Sequence, residues 1–236
     1  FGAFGRMGEH CFDDELTPEE QEFFEFEGIR YYSNVMTTFT PSLRKAIEKA
    51  KTLDIKIIAP GHGPVYRKNP QKIMDDYHRF SLYAEGSGKN EVTVLWGSMY
   101  GMTKKAVDYV EGILQREGVK YRSLEVTRNS ESEMVATAFK SAGIIIAAPT
   151  YEYKLFPPVA AILDELGRKR ISGKTAFRFG SYGWSGGAEK ELKEIIERNN
   201  MKWDFIESVE FEGAPKEEDL KKLEAGILKL IERMKE

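Results

Sequence analysis

Ser98, Tyr100, Gly101 and Thr103 stand together in "VLWGSMYGMT" (94–103), with Met99 and Met102 between them and no acid among them. They fall where a strand-type run gives way to helical spacing, which is where an anion site can be built. A helix N-terminus offers free N–H groups and a partial positive charge that favour a phosphate. Ser98 and Thr103 add hydroxyl donors, and Gly101 lets a ligand approach the backbone closely. The same residues would equally serve as an ordinary helix cap. The turn alone leaves both readings open.

Two further stretches bear on the choice. "PTYEYKLFPP" (149–158) sets Pro149, Thr150, Tyr151, Glu152 and Tyr153 at the end of an apolar run. "GSYGWSGGAEK" (180–190) carries Ser181, Tyr182, Gly183, Trp184, Gly186 and Gly187 at the end of another. Aromatic rings on glycine-rich backbone suit a flat heteroaromatic ligand. A single loop tryptophan is more often packed than functional, but three such loops at three strand ends favour a ligand. A fourth candidate, His62 in "APGHGPV" (59–65), reads either as a metal-binding imidazole or as a histidine bonding the backbone of a tight turn.

The elements that must position these residues alternate regularly in the second part of the chain. Strands are expected at 91–97, 120–126, 143–149, 174–183 and 203–211, and helices at 103–117, 132–141, 157–167, 186–199 and 215–235. Five strands alternating with five helices imply an α/β fold, a doubly wound parallel sheet covered on both faces. The closing helix is amphipathic, with Leu220, Leu223, Ile227, Leu230 and Ile231 on one face. In such sheets ligands bind beyond the carboxyl ends of the strands.

Residues 1–84 follow another grammar. A capped helix is expected over 17–27, helical spacing over 29–50 with a kink at Pro41, a strand in "IKIIAPGHGPV" (55–65), and a helix opening at Asn69. One strand and three helices do not make a sheet domain by themselves, and the chain opens on Phe1 without a targeting pattern. This part reads as the end of a domain that begins in a longer polypeptide. The glycines and polar residues of "AEGSGKNE" (84–91) mark a linker, placed at 85–90.

Bulk properties narrow the classes. The chain has 236 residues, 41% hydrophobic and 31% charged, with net charge −3 and no basic footprint for nucleic acid. Its one cysteine, Cys11, excludes an internal disulfide framework and fits a reducing compartment such as the cytoplasm. No apolar run approaches the roughly 20 residues of a membrane helix. The first loop lacks the G-x-G-x-x-G dinucleotide fingerprint. "GRKRISGKT" (167–175) imitates a P-loop, but it is one residue too long and leads into a strand. A receiver domain would carry carboxylates near the first strand's end. A mononucleotide with an aromatic ring remains, and FMN suits all three loops.

At this point the chain resembles known families. Residues 91–236 resemble flavodoxin, with "SMYGMT" similar to its phosphate loop and "PTYEY" and "GSYGWSGG" similar to its flavin-flanking loops. With "IIAPGHGPVYRKNPQKIMDDYHRFS" upstream, the whole chain resembles the flavodiiron (A-type) flavoproteins, where a metallo-β-lactamase-like domain precedes a flavodoxin-like one. Residues 1–84 would then be the C-terminal portion of the first domain. The resemblance implies FMN on residues 98–103, 149–153, 181–184, 186 and 187, and a non-heme di-iron site that reduces dioxygen to water or nitric oxide to nitrous oxide. It implies that His62 is an iron ligand. The family's other ligands have no counterpart here, and its bridging aspartate would fall just before the stretch that "FGAFG" resembles. One ligand cannot hold two irons, so the rest are expected from a missing N-terminal half. A head-to-tail homo-oligomer and an electron donor (rubredoxin, a nicotinamide or a deazaflavin) are implied by the resemblance alone. The alternative is a flavodoxin-type FMN electron carrier with no turnover of its own, and a third reading is a regulatory scaffold whose pocket binds no flavin.

Overall fold

The structure is a computed structural model that describes residues 1–2, 8–86 and 88–235. It divides into two compact units, Phe1–Glu85 and Gly86–Glu236.

The second unit is the five-stranded parallel sheet that the alternation predicts. Its strands are β1 (Lys89–Trp96), β2 (Lys120–Glu125), β3 (Ser141–Ala147), β6 (Thr175–Tyr182) and β7 (Asp204–Glu212), in the order β2-β1-β3-β6-β7. Helices α4 (Met102–Arg116), α5 (Glu131–Lys140), α6 (Pro157–Arg168), α7 (Ala188–Arg198) and α8 (Glu217–Arg233) connect and close it. The reversal of winding between β1 and β3 leaves a crevice at their carboxyl ends. On one face, Val92, Val94, Ile145, Phe177 and Phe179 pack against Val110 and Leu114 of α4 and Ile227 and Leu230 of α8. Gly226 brings α8 down onto the sheet: a Cβ there would lie 2.5 Å from the Phe177 ring.

Two features of this unit lie outside the expected elements. Between β3 and α6, β4 (Thr150–Tyr151) and β5 (Lys154–Leu155) form a small antiparallel hairpin. In β7 the register against β6 slips by one residue: Phe177 pairs with Ile206, yet Phe179 pairs with Val209. The expected linker is in part ordered structure, since Lys89 already belongs to β1 and a Cβ on Gly88 would lie 2.6 Å from the Ser141 carbonyl carbon. Ser87 lies outside the described residues.

In the first unit, α1 (Pro18–Tyr31) starts at a capping box formed by Thr17 and Glu20. The expected break after residue 27 does not occur. The helix runs on through a π-helical turn (Tyr32–Met36) and a 3-10 turn (Thr37–Phe39) into α2 (Thr40–Lys51). Pro41 sits in the first turn of α2 and makes no kink within it, because its missing N–H is not needed there. Helix α3 (Pro70–Tyr83) is capped by the Asn69 side chain. Tyr77 and Phe80 of this helix each pack edge to face with Tyr32, with ring centroids 5.6 and 5.8 Å from it. The strand expected at 55–65 is corrected: this segment makes only single-residue bridges, Ile58 with Tyr66 and Val65 with Phe12. Pro60 and Pro64 remove ladder donors, and Ile57 is 59% exposed, so there is neither a continuous ladder nor a buried face. Among the described residues no helix is long and apolar enough to cross a membrane.

Candidate functional site

The first loop is shaped by Gly101, whose φ of +82° makes it a left-handed N-cap of α4. Ser98 Oγ accepts a hydrogen bond from the Gly101 N–H at 3.0 Å. Thr103 turns inward: its hydroxyl lies 2.9 Å from the Ser181 hydroxyl, and both side chains are buried. In the first helical turn the N–H groups of Met102, Thr103 and Lys104 have no intrahelical carbonyl, and no acid stands among them. Met99, Tyr100 and Met102 border the open space in front of that turn. Lys104 is engaged elsewhere, paired with Asp108 and 5.4 Å from the Trp96 ring centroid.

The second loop follows β3. The Ala148 N–H donates to the Phe179 carbonyl at 3.0 Å, and the Ala148 carbonyl crosses so close over Gly180 that a Cβ there would lie 1.7 Å from its oxygen. Only glycine permits that crossing. The hairpin then turns through Glu152 (φ 47°) and Tyr153 (φ 63°), two left-handed residues that present the tyrosine ring 75% exposed. Glu191, in the first turn of α7, accepts the Leu155 N–H at 2.6 Å and pins the hairpin's return strand. The Thr150 hydroxyl is buried without a partner at the edge of the same space.

The third loop leaves β6 at Tyr182 and carries Trp184 fully exposed (101%). Gly186 passes beside the Glu210 carboxylate and Gly187 passes under the Tyr153 carbonyl, where Cβ atoms would meet oxygens at 2.8 and 2.3 Å. These two glycines hold the loop; they do not line the space it borders.

Together the loops enclose a cleft of about 680 Å³ beyond the carboxyl ends of β1, β3 and β6. That volume is in the range of small-molecule sites, on the order of 300–1,000 Å³. Pro149, Thr150, Tyr151, Glu152 and Tyr153 line it from the second loop, and Ser181, Tyr182, Gly183 and Trp184 from the third. Ser98, Gly101 and Thr103 lie behind the lining as the frame of the first loop. Ser185 and Gly213 also line the cleft and were not among the expected residues. Gly213 follows the fifth strand in "FEGAP", and a glycine just past a strand end is the signal that points to it. Exposed rings, an unpartnered hydroxyl and an acid-free helix N-terminus fit a flat heteroaromatic ligand that carries a phosphate.

His62 belongs to the first unit. It lies exposed on the bend before Gly63 (φ +89°), its ring centroid 5.9 Å from that of Tyr31. It borders a cavity of about 260 Å³ that Tyr66, Tyr77 and Phe80 also line. Among the described residues no group of three or more His, Cys, Asp or Glu side chains is placed to hold a metal, so these residues by themselves do not fit a di-iron centre. His10 is occupied by Glu20 at 2.8 Å, and that hydrogen bond raises its pKa. Most of "FGAFG" lies outside the described residues.

No family model matches the chain. It is similar to a nitric oxide reductase of Moorella thermoacetica, 27% identical over 83% of this chain and 49% of that protein. It is also similar to an anaerobic nitric oxide reductase flavorubredoxin of Vibrio vulnificus, 32% identical over 79% of this chain and 38% of that one. The chain thus spans about half or less of the length of these curated relatives. Among solved structures, the flavodiiron protein of Giardia intestinalis superposes with a TM-score of 0.84 at 26% identity, covering 99% of this chain and 56% of that one.

Proposed function

We propose that this chain, which is related in sequence and fold to the flavodiiron proteins, holds FMN in the cleft beyond β1, β3 and β6 as part of an oxidoreductase that reduces nitric oxide or dioxygen at a non-heme di-iron site. The observation that carries the reading is the convergence of three loops, each with an exposed ring, on one cleft at an acid-free helix N-terminus. FMN contributes stepwise electron transfer. The chain's own residues bind and orient. The first-turn N–H groups of α4 and the Ser98 hydroxyl hold the phosphate, Trp184 and Tyr151 flank the ring, and Thr150 meets a polar edge of it. Residues 91–236 are the FMN-binding domain and residues 1–84 the end of a metallo-β-lactamase-like domain, joined at 85–90. His62 is the one iron ligand in this chain; the others come from polypeptide outside this sequence. A rubredoxin-type, nicotinamide or deazaflavin donor, a head-to-tail homo-oligomer and a cytoplasmic location complete the proposal.

Titration of the chain with FMN tests it. Quenching of flavin fluorescence, saturating at one FMN per chain, is the expected result, and no binding sinks the reading. A second reading, an FMN electron carrier, is favoured by the absence of a metal-holding group among the described residues. Iron analysis separates the two: iron in proportion to flavin supports the reductase, and flavin alone the carrier.

A further inference from the structure

Strand β6 reads "TAFRFGSY", an apolar strand with one arginine inside it. Phe177 and Phe179 belong to the core under α4 and α8, so by the two-residue alternation Arg178 points to the opposite face. Its side chain is completely buried. Nη1 donates to Glu210 Oε1 at 2.6 Å, Nη2 reaches the Ala148 carbonyl at 3.4 Å, and Nε is buried without a partner.

Glu210 is on that face only because of the register slip. Before the slip, Thr175, Ala176 and Phe177 pair with Asp204, Phe205 and Ile206; after it, Phe179 and Gly180 pair with Val209 and Glu210. In unbroken register Val209 would stand opposite Gly180, and Glu210, opposite Ser181, would point into the apolar core. The inserted residue re-aims the carboxylate at the arginine, a recognised use of such bulges.

The pair touches the roots of two loops. Ala148, which Arg178 contacts, immediately precedes Pro149 of the second loop. Glu210 Oε2 is the atom that a Cβ on Gly186 of the third loop would meet. A buried guanidinium with an unsatisfied nitrogen is weak evidence for a stabilising role, because apolar residues of similar volume often serve a core as well or better. Placement accounts for it. We infer that Arg178 is a positioning residue which, through Glu210 and the Ala148 carbonyl, fixes the loops after β3 and β6 at the separation that clasps the ligand's ring. The inference rests on the proposal that this cleft takes FMN.

The test compares wild type with Glu210→Gln, Arg178→Lys and Arg178→Met, with the exposed Glu207→Gln as control. FMN affinity, the visible circular dichroism and midpoint potential of the bound flavin, and thermal unfolding of the flavin-free protein are measured. E210Q keeps shape and removes charge, so it should still fold; it should bind FMN about tenfold more weakly, the scale typical of partners that orient a ligand-holding group. It should also alter the flavin's dichroism. R178K should recover part of what R178M loses, and E207Q should match wild type. The inference is overturned if E210Q and R178K bind FMN with wild-type affinity and dichroism. It is equally overturned if binding weakens only in step with lost thermal stability. If R178M does not fold, E210Q decides. Failure of wild type to bind FMN would instead remove the FMN reading, and this inference with it.

Discussion

Thr103, in the first turn of α4, and Ser181, at the end of β6, share a 2.9 Å hydrogen bond inside the fold. Ser181 also lines the cleft, whereas Thr103 does not, and the bond ties the first loop to the third. Thr103→Val keeps the shape and strands the Ser181 hydroxyl, which should destabilise the protein by about 1–2 kcal/mol in urea unfolding. A double-mutant cycle with Ser181→Ala should show coupling, since removing both partners should harm less than the sum of the single changes. Additive losses would mean that the bond does not hold the loops.

Trp184 is fully exposed. Trp184→Ala should therefore leave the urea midpoint unchanged while weakening FMN by about tenfold, as loss of one stacked ring does. A fluorescence titration reads the affinity. An unfolded variant with intact flavin affinity would show that Trp184 supports the fold and not the ring.

Gly226 lies in the interior of α8, where alanine would normally raise helix stability by about 1 kcal/mol. Here the added Cβ would lie 2.5 Å from the ring of Phe177, which is wholly buried. Overpacking of this kind costs about 1–3 kcal/mol. The steric effect should win, so Gly226→Ala should lower the unfolding midpoint.

Lys174 is buried, and its ammonium donates to the Phe139 and Ser141 carbonyls at 2.8 Å with no carboxylate to offset desolvation. Burial pushes its pKa down to about 7. Between that value and the ordinary lysine range the unfolded chain binds the extra proton, so the contribution of this group to stability rises with pH and falls away as pH drops towards 7. The unfolding free energy of wild type should gain on that of Lys174→Met by up to about 1.4 kcal/mol per pH unit from pH ~7.5 to ~9.5. Parallel curves would show that the amine is not desolvated in the fold.

The parallel sheet is legible in the sequence because strands buried on both faces read as unbroken apolar runs, as in "GIIIA" of β3. The hairpin β4–β5 is not, because Glu152 and Tyr153 carry none of the Asn–Gly signal of a two-residue turn. Its shape comes from Glu191 and Gly187, distant in sequence. The segment 55–65 misleads in the other direction: Ile55, Ile57 and Ile58 have strand composition, but composition does not supply a neighbour to pair with. The slip in β7 leaves a trace in the spacing of its core residues, with three positions from Ile206 to Val209 and then two to Phe211. The inward turn of Thr103 leaves none, since a threonine that holds a ligand and one that holds a serine are the same letter.

The turn at Glu152 and Tyr153 also bears on how this protein would respond to selection. Two non-glycine residues held at positive φ cost about 1–2 kcal/mol each, and Asn–Gly would relieve most of it. A screen that rewards heat resistance alone would therefore drift towards that replacement and erase the Tyr153 ring from the cleft. Ligand retention would have to be scored beside melting temperature, or the most robust descendants would be the ones that had lost their grip.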